Sequence, residues 1–318
     1  MLKSNRISLL FASLFVIASL CISDTGARKL EKISDDEFLK LIQTEKYVVT
    51  LFSKPGCSSC DEYEHELAMN REVLVDSLGA WVVKLVSSPL SKLYSPSLEP
   101  AVVFFRHGVP MLYHGSANEE EMLSKIQKCQ DPTVKALNDD TFEHLTQAAT
   151  GATTGDWLVM FTRATCVKSQ RLQAVFEAAA CELKFRVNTA RVDKSTDGGA
   201  TGRRFGVTDT PYFILFRHGK LYRYELDEIN IQSLVDFATD FYRNSKAESV
   251  PIPKSPFDDF TEMIVEKMRE NPQAVKLGSI VLSILIILGI FISFVGGKKK
   301  PATSSKKKDK EQSKKKSS

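Results

Sequence analysis

The stretch Val48-Val-Thr-Leu-Phe-Ser-Lys-Pro-Gly-Cys57-Ser-Ser-Cys60 leaves the chain few ways to fold. Val48, Val49, Leu51 and Phe52 read as a buried strand, Pro55-Gly56 breaks it, and a helical pattern resumes through Tyr63, Leu67 and Met69. That order puts Cys57 at a helix N-terminus, where unpaired amides and the helix dipole favour a thiolate over a thiol. Cys60, one turn on, can close a disulfide with it. Such a pair is a redox switch.

Beyond Cys60 come an apolar run from Trp81 to Val86, the step Glu99-Pro100, a second apolar run from Ala101 to Phe105 and the turn Arg106-His107-Gly108. A helix then opens at Asn118, with Glu119, Glu120 and Glu121 in its first turn. With the Cys-x-x-Cys motif, these features resemble the protein disulfide isomerase family. The resemblance implies a thioredoxin fold, with a cis proline before the third core strand lying against the active cysteines; Pro100 is the candidate.

The chain also resembles itself. Ile33-Ser-Asp-Asp-Glu-Phe38 recurs as Leu137-Asn-Asp-Asp-Thr-Phe142, and Pro100-Ala-Val-Val-Phe-Phe-Arg-His-Gly108 as Pro211-Tyr-Phe-Ile-Leu-Phe-Arg-His-Gly219. The offset is the length of one small domain. The expected architecture is α/β: two tandem thioredoxin-like domains, residues 29–131 and 132–244, followed by a single transmembrane helix. In the second domain the strand is Trp157 to Phe161 and the motif reads Cys166-Val-Lys-Ser169, so the second cysteine has become a serine. A lone thiol at a helix N-terminus can form a mixed disulfide that nothing resolves, and Ser169 can hydrogen-bond the Cys166 thiolate. The arrangement is similar to that of thiol-retention members of the family; the other reading is a degenerate domain with a relic cysteine. Arg204 to Pro211 resembles the isomerase segment that leads into the cis proline, which makes Pro211 a substrate-contact candidate beside Pro100 and Ser169. The Gly-rich stretch from Ser195 to Gly202 reads as a plain surface loop.

Two departures from the family stand out. The resemblance implies a buried acid six residues before the first active cysteine, and here Leu51 and Met160 occupy that position. Gly56 replaces the usual tryptophan, and Asp61, Glu62 and Glu64 follow the motif, carboxylates that oppose thiolate formation. A Cys-x-x-Cys is also half of a zinc site, but the remaining cysteines and the five histidines show no ligand spacing, so neither metal nor other cofactor is expected. His107 and His218 fall in equivalent turns and read as hairpin residues. Cys181 lies in an apolar helical run and reads as a buried thiol; Cys129 is either free or bridged to another chain.

The ends of the chain speak of a membrane. A basic start, an apolar region from Ile7 to Ile22 and small residues at Cys21 and Ser23 make residues 1–23 a signal peptide, or else an uncleaved anchor. Residues 277–295 carry no charge and match the length of a membrane-spanning helix. Residues 296–318 hold ten lysines against two acids, more than the chain's whole formal charge of +4, so the rest of the protein is net acidic. The lysines imply a cytosolic tail and a type I topology, and not nucleic-acid binding. Lys315 and Lys316 look like a dilysine signal for retrieval to the endoplasmic reticulum (ER) by a coat; a tail lying on lipid headgroups is the competing reading. Residues 245–276 read as a Pro-containing linker and a helix with Phe257, Phe260, Ile264 and Met268 on one face, either bound for the membrane or packed on the second domain.

These readings give an ER membrane thiol–disulfide oxidoreductase acting on client proteins, with Cys57 attacking, Cys60 resolving and Cys166 holding clients for longer. The alternative is a non-catalytic ER chaperone or adaptor that uses the two domains as a binding surface.

Overall fold

The computed structural model describes residues 29–95, 100–151 and 154–296. The expected signal peptide and the Lys315-Lys316 motif lie outside the described residues. Two compact units are present, one ending at Ser255 and one beginning at Pro256.

The first unit holds two sheets built to one plan. In the first body, β1 (Glu31–Lys32), β2 (Tyr47–Ser53), β3 (Trp81–Val86), β4 (Ala101–Arg106) and β5 (Val109–Leu112) run in the order β1-β3-β2-β4-β5. Between them lie α1 (Asp35–Thr44), α2 (Ser58–Leu78) and the single turn α3 (Ser91–Tyr94), and α4 (Glu119–Lys128) follows the last strand. The second body repeats this with β6 (Lys135–Leu137), α5 (Asp139–Thr146), β7 (Trp157–Thr162), α6 (Val167–Leu183), β8 (Asn188–Asp193), α7 (Gly199–Arg204), β9 (Tyr212–Arg217), β10 (Lys220–Arg223) and α8 (Ile231–Thr239). Its order is β11-β10-β9-β7-β8-β6, where β11 (Ala247–Ser249) adds an edge strand from the stretch read as linker. In each body the central strand runs parallel to one neighbour and antiparallel to the other.

Local chemistry explains the shared plan. Ser34 and Asn138 cap α1 and α5 with reciprocal capping boxes, the structural content of the repeated Ser/Asn-Asp-Asp pattern. Each β-hairpin turns on His-Gly, with φ of 51° and 77° at His107 and Gly108 and 50° and 69° at His218 and Gly219, as a two-residue turn between twisted strands requires. Aromatic clusters fill one side of each sheet: Phe38, Phe52, Tyr94 and Phe105 in the first, Phe142, Phe161, Phe205 and Phe216 in the second.

The bodies are joined through α6. This helix is buried along most of its length, and its run Ala178-Ala-Ala180 lets neighbouring backbone come close. Glu177 on α6 pairs with Arg106 from the end of β4 at 2.8 Å, with both side chains almost fully buried. Arg106 also donates to the carbonyls of Cys129 and Asp131, and Glu177 accepts from the Thr133 amide, so the pair grips the segment between the bodies. A disulfide joins Cys129, at the end of α4, to Cys181 on α6. This corrects two expectations: Cys181 is not a free buried thiol, and Cys129 bridges within the chain.

The surface-loop reading of Ser195 to Gly202 is corrected as well. Its second half enters α7, and Thr201 and Gly202 are buried. The Asp139 carboxylate accepts from the amides of Ala200 and Thr201, a cap supplied from far away in sequence. A side chain at Gly198 would collide with Val192 Cγ1, so this glycine serves close packing.

The second unit consists of α9 (Pro256–Glu270) and α10 (Pro272–Gly296). α9 has no buried residue, and Phe257, Phe260, Ile264 and Met268 are all exposed. In α10, Val275–Ile292 is long and apolar enough to cross a membrane by length and composition, and none of it is buried.

Candidate functional site

In the first body the strand-break-helix sequence delivers what its pattern promised. β2 ends at Ser53, Cys57 caps α2 with extended backbone, and its sulfur accepts from the Cys60 amide at 3.1 Å. Cys57 and Cys60 are joined as a disulfide with Cα atoms 5.2 Å apart. Exposure differs between them: Cys57 is half-buried and reachable, whereas Cys60 is only 3% exposed. An incoming sulfur therefore meets Cys57 first. Pro100 is half-buried at the entry to β4, but Glu99, and with it the Glu99-Pro100 peptide, lies outside the described residues.

The carboxylates after the motif do not act together. Asp61 and Glu62 point to solvent, while Glu64 is bound by Lys84 of β3, with both oxygens within 2.7 Å of Nζ, and also accepts from the Leu30 amide. Its charge is answered on the spot.

In the second body Cys166 occupies the same place, capping α6, and is a free half-buried thiol. Thr210-Pro211 is a cis peptide, and the Cys166 thiol donates to the Thr210 carbonyl at 3.2 Å. Sulfur and proline loop are thus in contact. Partial burial raises the Cys166 pKa, but the Ser169 hydroxyl and the Ser169 and Lys168 amides outweigh it and hold the thiol below its ordinary value. While the thiol donates to Thr210, Ser169 Oγ is buried with no hydrogen bond. The two observations agree if that hydroxyl turns to the sulfur once the proton leaves.

Beside Ser169 a cavity of about 120 Å³ opens between α6, β7 and β8, lined among others by Met160, Gln173, Phe176 and Arg191. Leu51 and Met160, at the positions where the family resemblance implied an acid, are fully buried apolar side chains, and no carboxylate stands on either strand there. Sequence reasoning missed what faces them. Across the parallel ladder Leu51 pairs with Lys84 and Met160 with Arg191, so each body sets a cation beside the apolar residue. Aligning β3 with β8 would have found this pair.

The fold and motif together define a class: α/β proteins of the thioredoxin type, with one closed cysteine pair and one open thiol at equivalent helix starts. Residues 133–240 match the thioredoxin family. A "Thioredoxin domain-containing protein" of Theileria parva is 37% identical over 134 residues, 42% of this chain and 60% of that protein. Protein disulfide-isomerase A4 of Mus musculus is 24% identical over 206 residues, 60% of this chain and 31% of the isomerase. The chain thus spans less than two thirds of either relative. The full-length ERdj5 crystal structure aligns with 65% of this chain and 30% of its own at 19% identity, with a TM-score of 0.39. Residues 133–240 thus match the thioredoxin family, and the chain is similar to a thioredoxin-domain protein and to the protein disulfide isomerases.

Proposed function

We propose that this protein is a membrane-anchored thiol–disulfide oxidoreductase acting on client proteins in the ER. The observation that carries the reading is the Cys57–Cys60 disulfide at the start of α2, with one sulfur accessible and the other enclosed. Reduced, Cys57 attacks a client disulfide and Cys60 resolves the intermediate by closing on Cys57. Pro100 and Pro211 contact the client backbone, a role supported for Pro211 by the Cys166–Thr210 contact. α10 anchors the chain, the thioredoxin-like bodies lie in the lumen, and Lys315 and Lys316 return it to the ER through a retrieval coat.

Cys166 supports a second role in the same chain. A thiol held below its usual pKa, with Ser169 where a resolving cysteine would stand, captures a client sulfur and keeps it. The full-length protein with Cys57 and Cys60 both changed to Ala tests the first reading. Client-disulfide turnover should be abolished, and unchanged turnover would leave only the chaperone or adaptor alternative. Trapping with Cys60→Ala, repeated with Cys166→Ala, assigns each captured client to one body.

A further inference from the structure

Cys60 is only 3% exposed, so little bulk water reaches its proton when the disulfide forms or breaks. Something in the protein must take it. The strand beside the motif offers Leu51, which cannot, and the facing strand offers Lys84, a cation. The carboxylate comes instead from the helix. Glu64 follows Cys60 by four residues, one turn on and on the same face of α2. It is mostly buried and is gripped by Lys84 from β3 and the Leu30 amide from the segment before β1. The other charged groups nearby, Lys29, Glu31 and Lys32 on that segment and β1, and Asp61, Glu62 and His65 on α2, are exposed.

The second body supplies an internal control. Relative to Cys166, Ser169 replaces Cys60, Gln173 replaces Glu64 and Arg191 replaces Lys84. Ser169, Gln173 and Arg191 line one cavity together with Asp193 and with Glu177, whose carboxylate is held by Arg106. The body that keeps a resolving thiol keeps the helix carboxylate. The body that lacks a resolving thiol has Gln173 at the equivalent helix position.

We propose that the Glu64–Lys84 pair carries the proton of Cys60, a reading that rests on the redox role of Cys57 and Cys60. Attack by the Cys57 thiolate breaks the client disulfide; one client sulfur leaves with the electron pair and the other is bonded to Cys57. The Cys60 thiol then passes its proton to Glu64, directly or through water, and the new thiolate attacks Cys57 Sγ. The Cys57–client bond breaks, and the second client sulfur leaves as a thiolate and takes up a proton. The client disulfide is reduced to two thiols as the two enzyme thiols are oxidised to a disulfide. Lys84 holds the carboxylate in place throughout. Glu64 is accordingly a positioning and proton-transfer residue, and its signature is a pH profile.

The test uses the full chain with Cys166→Ala, reduced and mixed with an aromatic disulfide whose released thiolate is coloured. The first coloured equivalent reports attack by Cys57 and the second reports closure by Cys60. Glu64→Gln should leave the first phase unchanged and slow the second by roughly tenfold or more at neutral pH, the low side of general-base effects. The difference should fade at alkaline pH, where hydroxide does the work, and Glu64→Asp should recover part of the rate. A second phase with the same rate and pH profile in Glu64→Gln overturns the proposal. No first phase in the parent protein overturns the redox reading itself, which separates the two failures. A gain-of-function arm covers a misfolded variant: with Cys57 and Cys60 changed to Ala and Cys166 retained, Ser169→Cys should close a disulfide faster when combined with Gln173→Glu, and equal rates count against the proposal.

Discussion

The two bodies of the first unit use one backbone plan for different sulfur chemistry. Each ends its central strand at a break, caps the next helix with a cysteine and sets a cation across from a buried apolar residue. In the first body the turn that follows holds Cys60 and Glu64; in the second it holds Ser169 and Gln173. Two side chains thus distinguish the site that holds a closed cysteine pair from the one that holds a single free thiol. The comparison also shows that the bodies are not free of each other, because α6, which carries Cys166, is packed between the two sheets.

That dependence gives the largest expected effect. Glu177→Ala leaves Arg106 as a buried charge without its partner, which should cost about 3–5 kcal/mol in denaturant unfolding. Loss confined to the second body, with the first unfolding as before, would mean that the bodies stand alone. Next comes the Cys129–Cys181 bridge. Changing both cysteines to Ala should cost about 2–4 kcal/mol, read as a lower unfolding midpoint, with a steeper slope because the unfolded chain loses its cross-link.

Ser169→Ala sharpens the chemical side of the comparison. A folded pKa held down by donors means that Cys166 becomes a thiolate at a pH below that of an ordinary thiol, so alkylation should rise early with pH. Removing the hydroxyl should shift that rise upward and slow labelling at neutral pH by roughly tenfold, since a hydrogen bond to a charge is worth about 1.5–3 kcal/mol before solvent screening. Labelling at an unchanged rate would show that the helix-start amides suffice. The smallest effects are the matched caps: Ser34→Ala and Asn138→Ala should each cost about 1 kcal/mol, and by similar amounts if the repeat is energetic as well as geometric.

The parts of this molecule that could be read from the chain are those governed by near neighbours. Apolar runs gave the central strands, Pro55-Gly56 and the His-Gly pairs gave the breaks and hairpins, and the repeat gave two sheets of one topology. The cysteine spacing gave the disulfide at α2, because residues three apart at a helix start are forced together. The short helix α7 was missed because its cap, Asp139, comes from a distant element.

What tertiary structure alone decided was partnership across long separations. Cys129 and Cys181 are 52 residues apart with no motif between them, and they meet only because α4 ends beside α6. Arg106 reads from the sequence only as the start of a turn, yet it is sealed against Glu177 by the packing of the second body. Glu64 belonged by sequence to a run of carboxylates around the motif; the ladder register of β3 removed it from that run and gave it to Lys84. Residue spacing determines which face of an element a side chain takes, but only the docking of one element on another determines what it touches there.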